Sequence, residues 1–136
     1  MDFLKSMMVA ASGLRAQASR MRVLSENIAN VDSTSPTPGG DPYRRKVANF
    51  RSHVDRAAGA NVVELSSVTR DQTPFRSQFD PGNPGADPQG YVKLPNVNDL
   101  IEAVDMREAQ RSYEANLNVI TAARSMIAKT LDILRG

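Results

Sequence analysis

The sequence predicts a mainly α fold: long N- and C-terminal helices packed as an α-helical hairpin or coiled coil, with a small irregular β-rich insert. Three observations predict it. Apolar residues recur every seven positions at both ends, at Met7, Leu14, Met21 and Ile28 and again at Met106, Tyr113, Ile120, Ile127 and Leu134, which is the spacing of an amphipathic helix that packs on another. The stretch 97–134 contains neither proline nor glycine. The chain between the two ends loses the helical period and gathers proline, glycine and β-branched residues.

Residues 1–30 form the N-terminal core helix, about 42 Å long at 1.5 Å per residue. Phe3, Ala10, Leu24 and Val31 run beside the main apolar line, interrupted by Gln17. Asp2 caps this helix or lies in its first turn, where an acid is favoured. Gly13 costs roughly 1 kcal/mol against alanine in a helix interior. It either permits close approach of another helix or is a tolerated surface glycine. The run Met7–Ala11 with Lys5 before it invites a signal-peptide reading, but Asp2 spoils the basic start and the apolar period continues beyond it. A helix that stays on the protein is the expectation.

Residues 31–42 are a connector. Pro36, Pro38, Pro42, Gly39 and Gly40 end the helix and favour irregular backbone. Residues 43–95 form a small β-rich and loop-rich middle region of a few short strands. Asn61–Thr69 is the best strand candidate, and the segments around Tyr43–Phe50, Phe75–Phe79 and Tyr91–Leu94 are others. The stretch 80–90, with Pro81, Gly82, Pro84, Gly85, Pro88 and Gly90, is loop.

Residues 96–136 hold the C-terminal core helix, about 57 Å long over 97–134. Asn96 or Asn98 caps it, and Asp99 and Glu102 fall near its start. Leu117 and Leu131 lie beside the main apolar line, with Ala109 and Ala123 as small contacts. Glu102, Asp105 and Glu108, interleaved with Arg107 and Arg111, read as a solvated or intersubunit charged face, with Glu108 paired to Arg111. Asn30 and Asn116 interrupt the apolar pattern, and a buried asparagine can fix helix register at some cost in stability.

Composition excludes several function classes. The chain has 136 residues, 40% hydrophobic and 5% aromatic, with no tryptophan and no cysteine, and a mean hydropathy of −0.40. Net charge is +2 from 17 basic and 15 acidic side chains. This mixture is an ordinary solvated surface and calls for neither nucleic acid nor anionic lipid. The run Arg44, Arg45, Lys46 reads as a solvated edge or a polar contact with a neighbouring subunit. His53 is the only histidine, so no metal-ligand spacing exists. Nothing orients it for nucleophilic catalysis. No enzyme, cofactor, metal or small-molecule substrate is expected, and no segment is apolar enough to span a membrane.

The two stripes cannot cover one another completely, because the C-terminal helix is the longer. Leftover contiguous apolar surface marks a contact site, and different faces presented to successive neighbours would build an open helix or tube. A structural assembly subunit is therefore the leading function. The alternative is a soluble helical adaptor or export chaperone that binds a partner helix.

Ser25–Thr34, reading SENIANVDST, resembles the N-terminal signature of bacterial flagellar rod and hook proteins. Val104–Leu134 resembles their C-terminal signature, and Thr37–Lys46, TPGGDPYRRK, narrows the likeness to the short proximal-rod members. On that resemblance, Ser25, Glu26, Asn27, Ile28, Ala29 and Asn30 carry the first signature, and Val104, Asp105, Met106, Arg107, Tyr113, Asn116 and Leu117 the second. Together with Met7, Leu14, Met21, Ile120, Ile127 and Leu131 they are expected to serve helix packing and subunit contact. The resemblance implies a subunit of the flagellar basal body, in the proximal rod, polymerising into a periplasm-spanning drive shaft for motility. It also implies export by the flagellar type III apparatus without a cleaved signal. The implied partners are other copies of the chain, other rod proteins, the rod-base adaptor and the membrane ring.

Overall fold

The computed structural model describes residues 2–136. Helix α1 spans Phe3–Ala29 and helix α2 spans Asp99–Arg135. Between them lie strands β1 (Lys46–Asp55), β2 (Ala60–Arg70), β3 (Arg76–Phe79) and β4 (Tyr91–Leu94). The strands pair as two separate two-stranded sheets, β1 with β2 and β3 with β4. This is the mainly α arrangement with a small β insert that the heptads predict. The insert differs in one respect: β1 and β2 have 10 and 11 residues rather than being short.

The chain forms two compact units, and each long helix contributes to both. The first unit holds the chain up to Met21, Ala48–Ser67 and Arg107–Gly136. Here α1 begins with Asp2 Oδ1 accepting the Lys5 amide at 3.1 Å, an N-cap. The two helices run antiparallel: Gly13 lies against the Asn116 side chain, and Arg20 lies 3.6 Å from the Glu108 carboxylate. Glu108 thus reaches across to α1 rather than along its own helix to Arg111. The other face of α1 meets the β1–β2 hairpin, where Ser12 Oγ accepts the Val63 amide at 3.2 Å. The buried residues are small: Ala10, Ser12, Ala16, Val62, Ala109 and Ala123.

The second unit holds Arg22–Val47 and Val68–Met106. Strands β3 and β4 are antiparallel, with Phe79 opposite Tyr91 and Arg76 opposite Leu94. The two rings meet edge-to-face at 5.3 Å. The connector has a defined path here. The Gly39 amide donates to the Gly85 carbonyl at 3.1 Å, and a Cβ at Gly85 would collide with the Ser35 carbonyl oxygen. Glycine is required at 85 because two loops touch backbone to backbone there. Asn98, not Asn96, caps α2: its Oδ1 accepts the Leu100 and Ile101 amides at 3.1 and 3.4 Å. Val23, Leu24, Val92, Pro95 and Val97 are buried together with two polar residues, Asn27 and Glu102.

Candidate functional site

Asn27 and Glu102 are each 0% exposed, so their polar atoms must be satisfied internally. Asn27 meets that demand in full. Its Nδ2 donates to the Lys46 carbonyl at 2.8 Å and to Glu102 Oε2 at 3.1 Å. Its Oδ1 accepts from the Tyr43 hydroxyl at 2.6 Å and the Lys46 amide at 3.0 Å. The other carboxylate oxygen of Glu102 accepts from Arg45 Nε. Arg45 also reaches Asp71 at 3.3 Å, and its backbone amide donates to Asn96 Oδ1 at 2.7 Å. Asn96 Nδ2 then donates to the Asp71 carbonyl and to both oxygens of Thr73, at 3.0–3.1 Å.

One polar knot therefore ties the end of α1, the start of β1, the β2–β3 turn and the first turn of α2. The electrostatics follow from this geometry. Burial raises the Tyr43 hydroxyl above its ordinary value, and the carboxylates of Glu26 and Glu102 add to the rise. Burial alone would lower the Arg45 guanidinium, but hydrogen bonding and charge from Glu102 and Asp71 outweigh it and raise the group. The Thr73 backbone amide, 2.9 Å from Asp71 Oδ1, is the main cause of a lowered Asp71 carboxyl, with the Thr73 hydroxyl and Arg45 contributing.

Three sequence expectations are corrected here. Glu102 is not part of a solvated charged face. The basic run is not a bare edge either: Arg44 lies over the Phe75 ring at 4.1 Å, Arg45 holds Glu102, and Lys46 pairs with Glu26 at 3.0 Å. Asn30 is not a register residue, since its Nδ2 donates to the Glu26 carbonyl of its own helix at 2.8 Å and its Oδ1 accepts from Ser33 at 3.0 Å. Tyr43, Arg45, Asp71, Asn96 and Glu102 were missed as site residues. One signal was present for Glu102: it continues the alternating four- and three-residue spacing of Met106, Ala109, Tyr113, Asn116, Ile120, Ala123 and Ile127. All of these positions are buried or half-buried.

The remaining predicted residues divide by exposure. Met7, Leu14, Met21, Glu26, Ile28, Asp105, Met106, Tyr113, Asn116, Ile120 and Ile127 are half-buried, whereas Ser25, Ala29, Val104, Arg107, Leu117 and Leu131 are exposed. Leu117 and Leu131 lie off the seam, and Val119, Met126 and Ile133, spaced by seven, form a further exposed apolar line. Toward the end of α2, Ile133 and Leu134 are 78% and 77% exposed. These side chains lie outside the core of the described residues. Among the described residues, no three His, Cys, Asp or Glu side chains group to hold a metal, and no helix is long and apolar enough to cross a membrane. His53 lies on the β1 edge, 3.8 Å from Glu64.

Comparison with known proteins bears on both ends of the chain. A family model described as "Flagella basal body rod protein" matches residues 7–35. A second, "Flagellar basal body rod FlgEFG protein C-terminal", matches residues 89–133. The flagellar basal-body rod protein FlgC of Agrobacterium fabrum is 52% identical, covering 94% of this chain and 92% of its own length. That of Borreliella burgdorferi is 42% identical over the whole of both chains. That of Bacillus subtilis is 38% identical over 94% of this chain and 95% of its own.

Proposed function

The chain belongs to the FlgC family of flagellar basal-body rod proteins and serves as a structural rod subunit, and from that membership we propose its place in the assembly. It is not an enzyme, and it assembles with other components of the basal body in the periplasm. It stands in the proximal rod, polymerises with copies of itself and with other rod proteins, and helps to transmit motor torque. Its further neighbours are the rod-base adaptor and the membrane ring. It reaches that place through the flagellar type III export apparatus, without signal cleavage.

The observation that carries this reading is the exposed apolar surface of α2, at Leu117, Val119, Met126, Leu131, Ile133 and Leu134. Many repeated apolar contacts along a long helix resist axial and torsional load without any single strong bond. The residues of the two family signatures, with the flanking heptad positions, supply packing within the subunit where they are half-buried and contact between subunits where they are exposed.

Leu117→Asp tests the assignment. Leu117 is 45% exposed, so the free chain loses little stability, within about 0.5 kcal/mol. At a subunit contact the same charge must be desolvated, which is costly. We expect unchanged circular dichroism and thermal unfolding, with loss of the chain from purified basal bodies and loss of motility. Normal incorporation of the variant would overturn the placement of this face.

A further inference from the structure

We propose that Gly13 and the Asn116 side chain form a steric key that sets the axial register of α1 on α2. A Cβ built at Gly13 would lie 2.7 Å from Asn116 Nδ2, 2.8 Å from Oδ1 and 2.9 Å from Cγ. The whole face of the amide is therefore seated against a backbone that carries no side chain. Swinging the amide aside would break a hydrogen bond. Its Nδ2 donates to the Ser112 carbonyl one turn back on α2, at 3.0 Å, which ties the side chain down along its own helix.

The fit has only one place to occur. Gly13 is the only glycine in α1. Positions one turn away on the same helix are Val9, Ala10, Ala16 and Gln17, and each carries a Cβ. Sliding either helix by a turn, about 5.4 Å, would drive the Asn116 amide into one of them. The selection is by shape. Register matters because it decides where the exposed apolar residues of α2 fall relative to α1. The key rests on the packing of the first unit alone and holds independently of the rod assignment.

Two effects of opposite sign make the key testable. If Gly13 merely occupied a roomy helix surface, Gly13→Ala would raise the folding equilibrium constant about fivefold through helix propensity. The key instead predicts a fall of about tenfold or more, from overpacking. In an Asn116→Ala background the obstruction is gone, and the same Gly13→Ala change should raise the constant. Denaturant unfolding of the full-length chain, in all four combinations, reads this inversion.

Register is read separately. The chain has no cysteine, so R20C and E108C introduce the only two sites for spin labels. Their distance distribution should shift or broaden in Gly13→Ala and return in the double variant. Gly13→Ala that stabilises the otherwise wild-type chain overturns the key. So does a loss that Asn116→Ala fails to reverse, or a label distance that never moves.

Discussion

Asn27 shows how much a single amide can hold when no water reaches it. Its four hydrogen bonds join α1 to Tyr43, Lys46 and Glu102, and removing Glu102 strands a buried N–H. Glu102→Ala leaves the Arg45 guanidinium with Asp71 alone and the Asn27 amide short of an acceptor. We expect a loss of about 2–4 kcal/mol by urea denaturation, toward the lower end because Arg45 retains some solvent access. Glu102→Gln keeps an acceptor for Asn27 and should cost less. Tyr43 adds a dependence on pH. Its folded value is raised, so its contribution is fully present below the ordinary tyrosine value of about 10 and is lost as pH rises through the folded value. Tyr43→Phe should cost about 1 kcal/mol at neutral pH and flatten the alkaline limb of the stability profile. Asp71 works in the other direction. Its lowered value gives stability that is present above about pH 3.9 and lost on further acidification. Little of this knot was legible in the sequence. A glutamate near a helix start reads as a dipole partner, and only the three-dimensional arrival of Arg45 and Asn27 turns it into a buried ion pair.

At the scale of elements the helices were legible and the strands less so. A heptad repeat leaves a record in sequence because most seam positions are small or apolar. Strand β3 leaves almost none, with all four residues exposed, and the outer half of β2, Ser66–Arg70, is exposed on both faces. Without one dry face there is no alternation to read, so the β1–β2 hairpin is longer than its sequence suggests. Caps were ambiguous for a similar reason. Asn96 and Asn98 are equally suited by type, and it is the commitment of Asn96 to Arg45, Asp71 and Thr73 that leaves Asn98 to start α2. Asn98→Ala should therefore cost about 1 kcal/mol and fray the first turn of α2. Amide hydrogen exchange at Leu100 and Ile101 reads both effects.

For the molecule as a whole, the separation of roles follows burial. Small residues fill the core of the first unit and a polar knot ties the second, while many bulky aliphatic side chains of α2 remain at the surface. A chain built this way leaves much apolar surface uncovered, as suits a subunit that assembles with other components of the basal body. The terminal signatures made the family readable from the sequence. The division of labour within those signatures was not readable, because heptad spacing marks a stripe without saying which of its neighbours come from the same chain. The knot also imposes an order of events. Asn27 and Glu102 lie 75 residues apart along the chain, and contacts so distant form only after both segments are present. A polypeptide emerging head first from any narrow passage can pair Asn27 with Tyr43 and Lys46 early, but the clasp onto Glu102 must wait until three quarters of its length has come through.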